Sequence, residues 1–343
     1  MEIHFAADNG VVDETIRDLI EAVGGINHPG IVRDMIIASL KAGKENTVNA
    51  DLKMMSSTLK EMRYTAKSFE PYRNIKKVTV FGSARTQRGE PIYKMARLFG
   101  KSLAESGYMV ITGGGGGIME AANEGAGPDR SFGVNIRLPF EQKPNPVLEG
   151  SSRVINYKYF FNRKVAFIKE ADAVALFPGG FGTLDEAMET LTLLQTGKRY
   201  PIPLILLDEK KGDYWSKWYN FMDRELASKG YISPEDFSFF QTVDSVSKAV
   251  NIINRFYSRY HSLRYVGKKL VIRLLSSIDE KALKEIQSRF NDILIPGGRI
   301  YASNTLSEEL NEPDIIDLPR LVLDFNLKDF GRLRQLIDSI NLC

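Results

Sequence analysis

Short continuous apolar runs alternate with stretches of helical periodicity through the middle of the chain. The runs are four or five residues long, at Val78–Phe81, Tyr108–Thr112, Ala173–Phe177 and Pro203–Leu207. Apolar runs of this length are typical of strands buried on both faces of a parallel sheet. Helical spacing of apolar residues separates and follows them, at Pro91–Ser106, Thr183–Leu194, Tyr214–Lys229 and Ser245–Tyr257. The alternation predicts an α/β fold, a Rossmann-like doubly wound parallel sheet over residues 76–257.

The flanks of this core show different patterns. Residues 1–75 predict a helical N-terminal segment, with a short helix at Asp13–Ala22 and Pro29 at the first position of the next one. Residues 265–343 predict a small α+β unit in the order β-α-β-β-α. Its strands are expected at Lys269–Leu275, Gly298–Ala302 and Arg320–Phe325, and its helices at Asp279–Phe290 and Leu327–Ile340. The role of this unit is open between oligomerisation, regulation and a lid.

Composition and charge narrow the class of protein. The 343 residues carry a formal net charge of only +3, so we expect no nucleic-acid partner. No apolar run reaches the roughly 18 residues of a membrane helix, and the first residues lack a signal pattern. The single cysteine, Cys343, is typical of a reducing compartment. We therefore expect a cytoplasmic protein without a membrane partner.

Three of the predicted strands end in glycine-rich turns. Gly82 and Ser83 follow the first strand, five glycines at residues 113–117 follow the second, and Gly179-Gly180 follow the third. The carboxyl ends of parallel strands lie at one edge of the sheet, where ligands bind near a switch in strand order. The three turns therefore predict a nucleotide pocket at that edge.

The turn at Pro178–Glu186 connects a strand to a helix. Glycines let a ligand approach the backbone, and the free N–H groups of a helix N-terminus attract an anion, here most simply a phosphate. Glu186 lies in the first turn of that helix. Its carboxylate is either a first-turn acid that forms a capping box with Thr183, or a catalytic group that faces the sugar of the bound nucleotide.

Other chemistries find no matching pattern. No acidic residue ends a strand about 20 residues after the five glycines, as a dinucleotide site requires, and no Gly-Lys-Ser/Thr follows them. The three histidines pair neither with one another nor with Cys343 at metal-ligand spacing. We expect no cofactor and no metal.

Two motifs together resemble the LONELY GUY (LOG) family, phosphoribohydrolases formerly labelled as lysine decarboxylases. They are G-G-G-x-G-I-M-E-A-A-N at Gly113–Asn123 and P-G-G-x-G-T-x-x-E at Pro178–Glu186. Phe-Gly-Ser-Ala-Arg at 81–85, the segment 135–142 and Arg163-Lys164 are similar to the bacterial members. The resemblance covers about Lys77 to Tyr257.

The resemblance implies roles for individual residues. Arg163 and Glu186 match the catalytic pair of the family. The implied substrate- and phosphate-binding positions are Ser83, Gly114, Gly115, Gly117, Glu120, Gly179, Gly180, Gly182 and Thr183. Many relatives carry proline where this chain has Gly116, so a more flexible loop is expected here. The resemblance also implies a homodimer or a higher homo-oligomer.

The implied activity is hydrolysis of the N-glycosidic bond of nucleoside 5'-monophosphates, such as AMP or an N6-modified AMP of the cytokinin type. The products are the free base and ribose 5-phosphate. Lysine decarboxylation would need a lysine that binds pyridoxal phosphate, and none is evident. A non-catalytic nucleotide sensor or carrier on the same fold is the alternative. Lys164 either neutralises phosphate or belongs to a solvated helix flank.

Overall fold

The computed structural model describes residues 3–137 and 143–343 and divides the chain into two units, Met1–Tyr64 and Thr65–Cys343. The part 138–142 of the motif at 135–142 lies outside the described residues. The first unit contains α1 (Val11–Val23), α2 (Pro29–Glu45) and most of α3 (Asn49–Phe69). Pro29 begins α2, as predicted. A small core of Ile3, Ile16 and Ile37 packs in this unit.

The second unit is built around a seven-stranded parallel sheet. Its strands are β1 (Lys77–Phe81), β2 (Met109–Thr112), β3 (Ser131–Ile136), β4 (Val154–Tyr157), β5 (Ala173–Leu176), β6 (Leu204–Leu207) and β7 (Phe240–Val243). Their order is β4-β3-β2-β1-β5-β6-β7, and every neighbouring pair is parallel. The order reverses between β1 and β5, which confirms the predicted doubly wound α/β fold.

Helices cover both faces of this sheet. They are α4 (Pro91–Glu105), α5 (Ile118–Ala126), α6 (Phe160–Lys169), α7 (Phe181–Gln195), α8 (Tyr214–Phe221) and α9 (Val246–Phe256). Val78 and Val80 of β1 face a core shared with α4, α5 and α9. Phe81, whose side chain points to the other face by strand alternation, packs edge-on against Phe167 of α6 at 4.8 Å.

The sequence patterns missed three strands of this sheet. The edge strands β4 and β7 are only partly buried, so neither has a continuous apolar run. The strand β3 is fully buried but contains Ser131 and Asn135. The predicted helix at Tyr214–Lys229 is α8 followed by a π-helical turn at Met222–Ala227.

The C-terminal part forms a second, antiparallel sheet. Its elements are β8 (Tyr260–Val266), β9 (Lys269–Leu274), α10 (Glu280–Arg289), β10 (Ile300–Ser303), β11 (Arg320–Leu323) and α11 (Phe330–Ile340), with strand order β10-β11-β9-β8. The observed order ββαββα contains β8, which the predicted β-α-β-β-α lacks. Tyr260, Leu263 and Val266 are the buried residues of β8, at intervals of three, and this spacing lacks the two-residue alternation by which a strand is identified.

The second sheet packs against the first through α11. Arg334 of α11 is buried and donates hydrogen bonds to the carbonyl oxygens of Ile202 (3.0 Å) and Phe239 (3.3 Å). The division into domains at 1–75, 76–257 and 265–343 stays a prediction. Within the described ranges, no helix combines the length and apolar character needed to cross a membrane.

Candidate active site

Three loops meet at the point where the strand order reverses. The amide of Ser83, after β1, donates to the carbonyl oxygen of Pro178, after β5, at 3.1 Å. The amide of Ile118, at the end of the five-glycine loop, donates to the carbonyl oxygen of Ser83 at 3.0 Å. Beside these loops lies a cleft of about 650 Å³. Its position matches the one predicted from the glycine turns.

The cleft contains most, but not all, of the predicted site residues. Its lining includes the predicted Ser83, Arg163, Gly180, Gly182, Thr183 and Glu186. It also includes Phe81, Gly82, Ala84, Arg85, Met119, Phe160, Phe181, Leu184 and Asp185. The lining drawn from the described residues does not include Gly114, Gly115, Gly117, Glu120 or Gly179.

The glycine turn that follows β5 opens onto the cleft. Gly180 precedes α7, and its carbonyl oxygen accepts from the amides of Thr183 (3.0 Å) and Leu184 (3.1 Å). The amides of Phe181 and Gly182 belong to the first helical turn, where no intrahelical acceptor exists. Tyr214 donates from its hydroxyl to the carbonyl oxygen of Gly179 at 2.7 Å and so anchors the turn. The geometry suits an anion at the N-terminus of α7.

The five-glycine loop that follows β2 is instead packed against neighbouring parts of the protein. A Cβ on Gly117, whose φ is +65°, would lie 2.3 Å from the carbonyl oxygen of Ser83. A Cβ on Gly113 would lie 2.5 Å from Nη2 of Arg163. Asn145 also holds the loop. Its backbone amide donates to the carbonyl oxygen of Gly114 (2.8 Å), and its side-chain Nδ2 donates to the carbonyl oxygen of Gly115 (3.1 Å). The loop therefore supports Ser83 and Arg163 rather than forming the cleft wall. Glu120, after it, accepts a hydrogen bond from Arg88.

Glu186 is a buried carboxylate without a hydrogen-bond partner on one oxygen. Its residue exposure is 6%, and the described part of the structure offers Oε2 no hydrogen-bond partner. No side chain caps α7, so the capping box between Thr183 and Glu186 is absent there. Burial raises the pKa of the Glu186 carboxyl to about 7, opposed by the nearby charges of Lys164 and Arg163. A buried carboxylate with a raised pKa in a cleft is typical of a functional site.

Arg163 and Lys164 leave α6 in different directions, since consecutive helical residues do not face each other. Arg163 donates through Nε to the carbonyl oxygen of Val134 at 2.9 Å, and its guanidinium lies 5.0 Å from the ring centre of Phe167. Burial lowers the pKa of the Arg163 guanidinium, and the Glu186 charge opposes that shift. Lys164 contacts acidic side chains of α7 and its side chain is 21% exposed, so it does not lie on a solvated helix flank; neutralisation of phosphate by Lys164 stays a prediction.

The sequence patterns assigned no role in the site to the apolar side chains of the cleft, which include Met119, Phe160, Phe181 and Leu184. Phe181 is the variable residue of P-G-G-x-G-T and is 94% exposed. Phe160 lies three residues before Arg163 and therefore on the same side of α6. The spacing of Phe160 from Arg163 was a signal that could have identified it.

A family model described as "possible lysine decarboxylase" matches residues 116–253. Decarboxylases that use pyridoxal phosphate bind it as a Schiff base to a lysine. No lysine is present among the described residues that line the cleft. The residues that line the cleft therefore do not fit pyridoxal phosphate.

Three curated relatives are named cytokinin riboside 5'-monophosphate phosphoribohydrolase. The one from Arabidopsis thaliana is 29% identical over 165 residues, which are 46% of this chain and 72% of the relative. The one from Oryza sativa subsp. japonica is 29% identical over 45% of this chain and 62% of the relative. The bacterial one, from Rhodococcoides fascians, is 28% identical over 51% of this chain and 88% of the relative.

Solved structures are similar over about half of the chain. A structural genomics target has a TM-score of 0.40 and 25% identity, over 53% of this chain and 99% of that one. The molybdenum cofactor binding protein from Rippkaea orientalis has a TM-score of 0.37 and 20% identity, over 52% of this chain and 94% of that one.

The family model, whose matched residues include Pro178–Glu186, and the three named relatives lead to one conclusion: the chain belongs to the LONELY GUY (LOG) family.

Proposed function

We propose that this chain hydrolyses the N-glycosidic bond of nucleoside 5'-monophosphates, AMP or an N6-modified AMP, to the free base and ribose 5-phosphate. One observation carries the proposal: the buried Glu186 carboxylate, with an unpartnered oxygen, lies in the same cleft as the open turn at Gly180–Thr183. A site that only binds an anion gains nothing from a buried carboxylate beside it. The curated relatives from plants and bacteria support the same reaction.

The 5'-phosphate is proposed to bind at the N-terminus of α7. The amides of Phe181 and Gly182 and the Thr183 hydroxyl are the donors available there. Binding energy from the phosphate then positions the sugar. Arg163 supplies a cation in the same cleft that can pair with the phosphate or with the departing base.

Glu186 is proposed to act on the sugar. Breaking the bond between C1′ and the base nitrogen builds positive charge on the sugar, which the ionised carboxylate stabilises. The attacking water loses a proton to the carboxylate as its oxygen bonds to C1′. The departing base keeps the electron pair of the broken bond and takes up a proton. The net reaction adds one water across the glycosidic bond.

The base has an apolar environment in this arrangement. Met119, Phe160 and Phe181 offer surfaces on which a heterocycle can stack. Stacking is tolerant of the identity of the base. The choice between AMP and N6-modified AMP is therefore tested with a panel that contains both and that also includes pyrimidine nucleotides.

The direct test is incubation with AMP and chromatographic detection of adenine and ribose 5-phosphate. AMP should be cleaved far faster than adenosine, and inorganic phosphate should inhibit competitively. Glu186→Gln should lose at least about 100-fold in kcat while still binding AMP. Glu225→Gln, an exposed carboxylate paired with Lys229, is the matched control and should retain full activity. Binding of AMP by the native protein without release of base would instead favour a sensor or carrier.

We also propose that the protein forms a homodimer or a larger homo-oligomer through α6 and α7. Phe161 and Val165 of α6 and Met188 of α7 are large apolar side chains that are 47%, 49% and 38% exposed. Clustered exposed apolar residues are typical of association surfaces. Light scattering coupled to size exclusion should give at least twice the monomer mass, and Val165→Glu should reduce it. A native monomer at micromolar concentration would contradict the proposal.

A further inference from the structure

Lys164 is placed at the centre of an acidic cluster on α7. Its ammonium lies 2.9 Å from Asp185, 2.8 Å from Glu189 and 3.8 Å from Oε2 of Glu186. Asp185 and Glu189 are four residues apart on one helix face, and Glu186 lies beside them. The two shorter contacts hold the ammonium in place, and the longer one directs its charge at the oxygen that has no hydrogen-bond partner.

Lys164 is one of two cations of α6 that favour the charged form of Glu186. Asp185 and Glu189 from α7 repel a charge on Glu186, while Lys164 and Arg163 from α6 attract it. Arg85, from the loop after β1, also lines the cleft. Removing Lys164 leaves two neighbouring carboxylates around a buried third, and like charges in one site cannot all ionise readily.

We propose that Lys164 is a positioning residue for Glu186: held by Asp185 and Glu189, its ammonium favours the ionised form of the Glu186 carboxylate. This inference rests on the proposed function for its meaning in catalysis, because an ionised Glu186 is what the reaction requires. Lys164 itself is not among the described residues that line the cleft, so it is proposed to act through Glu186.

The simpler explanation is that Lys164 only ties α6 to α7. A tie between helices contributes to stability but leaves the protonation of Glu186 unchanged. The two explanations therefore differ in pH dependence. If Lys164 sets the charge of Glu186, its loss moves the pH at which the carboxyl titrates; if it is only a tie, it lowers the melting temperature and nothing else.

The activity test compares Lys164→Met with Lys164→Arg across a range of pH. In Lys164→Met, the acidic limb of kcat/KM should move to higher pH by at least about one unit, with most of the loss recovered at high pH. Lys164→Arg should restore the native profile. Lys248→Met, which breaks an exposed pair with Asp244, is the matched control and should leave the profile unchanged. An unchanged acidic limb in Lys164→Met would overturn the inference.

A second measurement does not need activity. The titration of Glu186 is followed by NMR of protein labelled with carbon-13 at the glutamate carboxyl, with the signal assigned by its loss in Glu186→Gln. Its midpoint should rise by at least about one pH unit in Lys164→Met. If the native protein cleaves no nucleotide but the midpoint still rises, the proposed function fails and the inference stands. If the midpoint stays in place, the inference fails whatever the activity.

Discussion

The two glycine turns that follow β2 and β5 differ in what surrounds their backbones. In the first, a Cβ on Gly117 would lie 2.3 Å from the carbonyl oxygen of Ser83, and a Cβ on Gly113 would reach Arg163. In the second, a Cβ on Gly180 or Gly182 would meet no heavy atom within 4 Å. The first turn uses glycine so that protein can approach protein, and the second leaves open space beside a helix N-terminus.

The difference shows that a glycine-rich turn can arise for two physical reasons: close packing of backbone against protein, or open space for a ligand. The first turn carries the longer run of glycines, yet its members support other site residues from behind. The second has fewer glycines, but Gly180 and Gly182 line the cleft. Gly179 of the second turn is crowded like Gly117, because its Cβ would lie 2.1 Å from the Thr183 hydroxyl and 3.0 Å from the amide nitrogen of Ser83. Substitutions in the two turns should therefore separate stability from ligand binding.

The largest effect on stability is expected for Gly117→Ala. The new methyl group would collide with backbone of the 83–84 loop at a positive φ, which should lower the free energy of unfolding by about 4 kcal/mol. Urea denaturation measures this loss. Gly116→Ala is the matched control one residue away: its nearest atom would be 3.6 Å distant, so stability should change by less than about 0.5 kcal/mol. Equal stability of both variants would contradict the inference that Gly117 is required for close packing against the 83–84 loop.

Next in size is the pH dependence that Glu186 contributes. The folded protein raises the pKa of this carboxyl from 4.5 to about 7, so its burial costs stability as pH rises through that window. Glu186→Gln removes the cost. At pH 8 the variant should be more stable than the native protein by up to roughly 3 kcal/mol, with the gap closing below pH 4.5. Denaturation at several pH values measures it. A constant gap would show that Glu186 does not titrate in this range.

The smallest effect on stability is expected for Gly180→Ala in the second turn. The backbone has an ordinary φ of −90° and the methyl group would enter open space, so unfolding free energy should change by less than about 1 kcal/mol. If the phosphate occupies that space, inhibition by inorganic phosphate should weaken at least about tenfold. A destabilised Gly180→Ala variant with native phosphate affinity would show that this turn serves packing and not phosphate binding.

Local patterns were sufficient for the elements with strong signals. Buried strands such as β1 and β5 have continuous apolar runs, and α7 follows its glycine turn with helical spacing. The patterns failed where burial was partial or irregular, as at β4, β7 and the bulged β8. They also could not distinguish the supporting glycines from the exposed ones, since the same residue letter describes both.

Sequence alone therefore determined the α/β class and the three glycine turns at one sheet edge, because these depend on short-range periodicity and motif spacing. Arg163 with Glu186 as a catalytic pair is what the resemblance to the LOG family implies, and it stays a prediction. Only the tertiary structure decided that Gly117 faces Ser83 and that Tyr214 anchors Gly179. It also decided that Lys164 pairs with Asp185 and Glu189. The reason is physical: those contacts join segments far apart in the chain, and their direction is set by how α6, α7 and the loops pack, which no local pattern encodes.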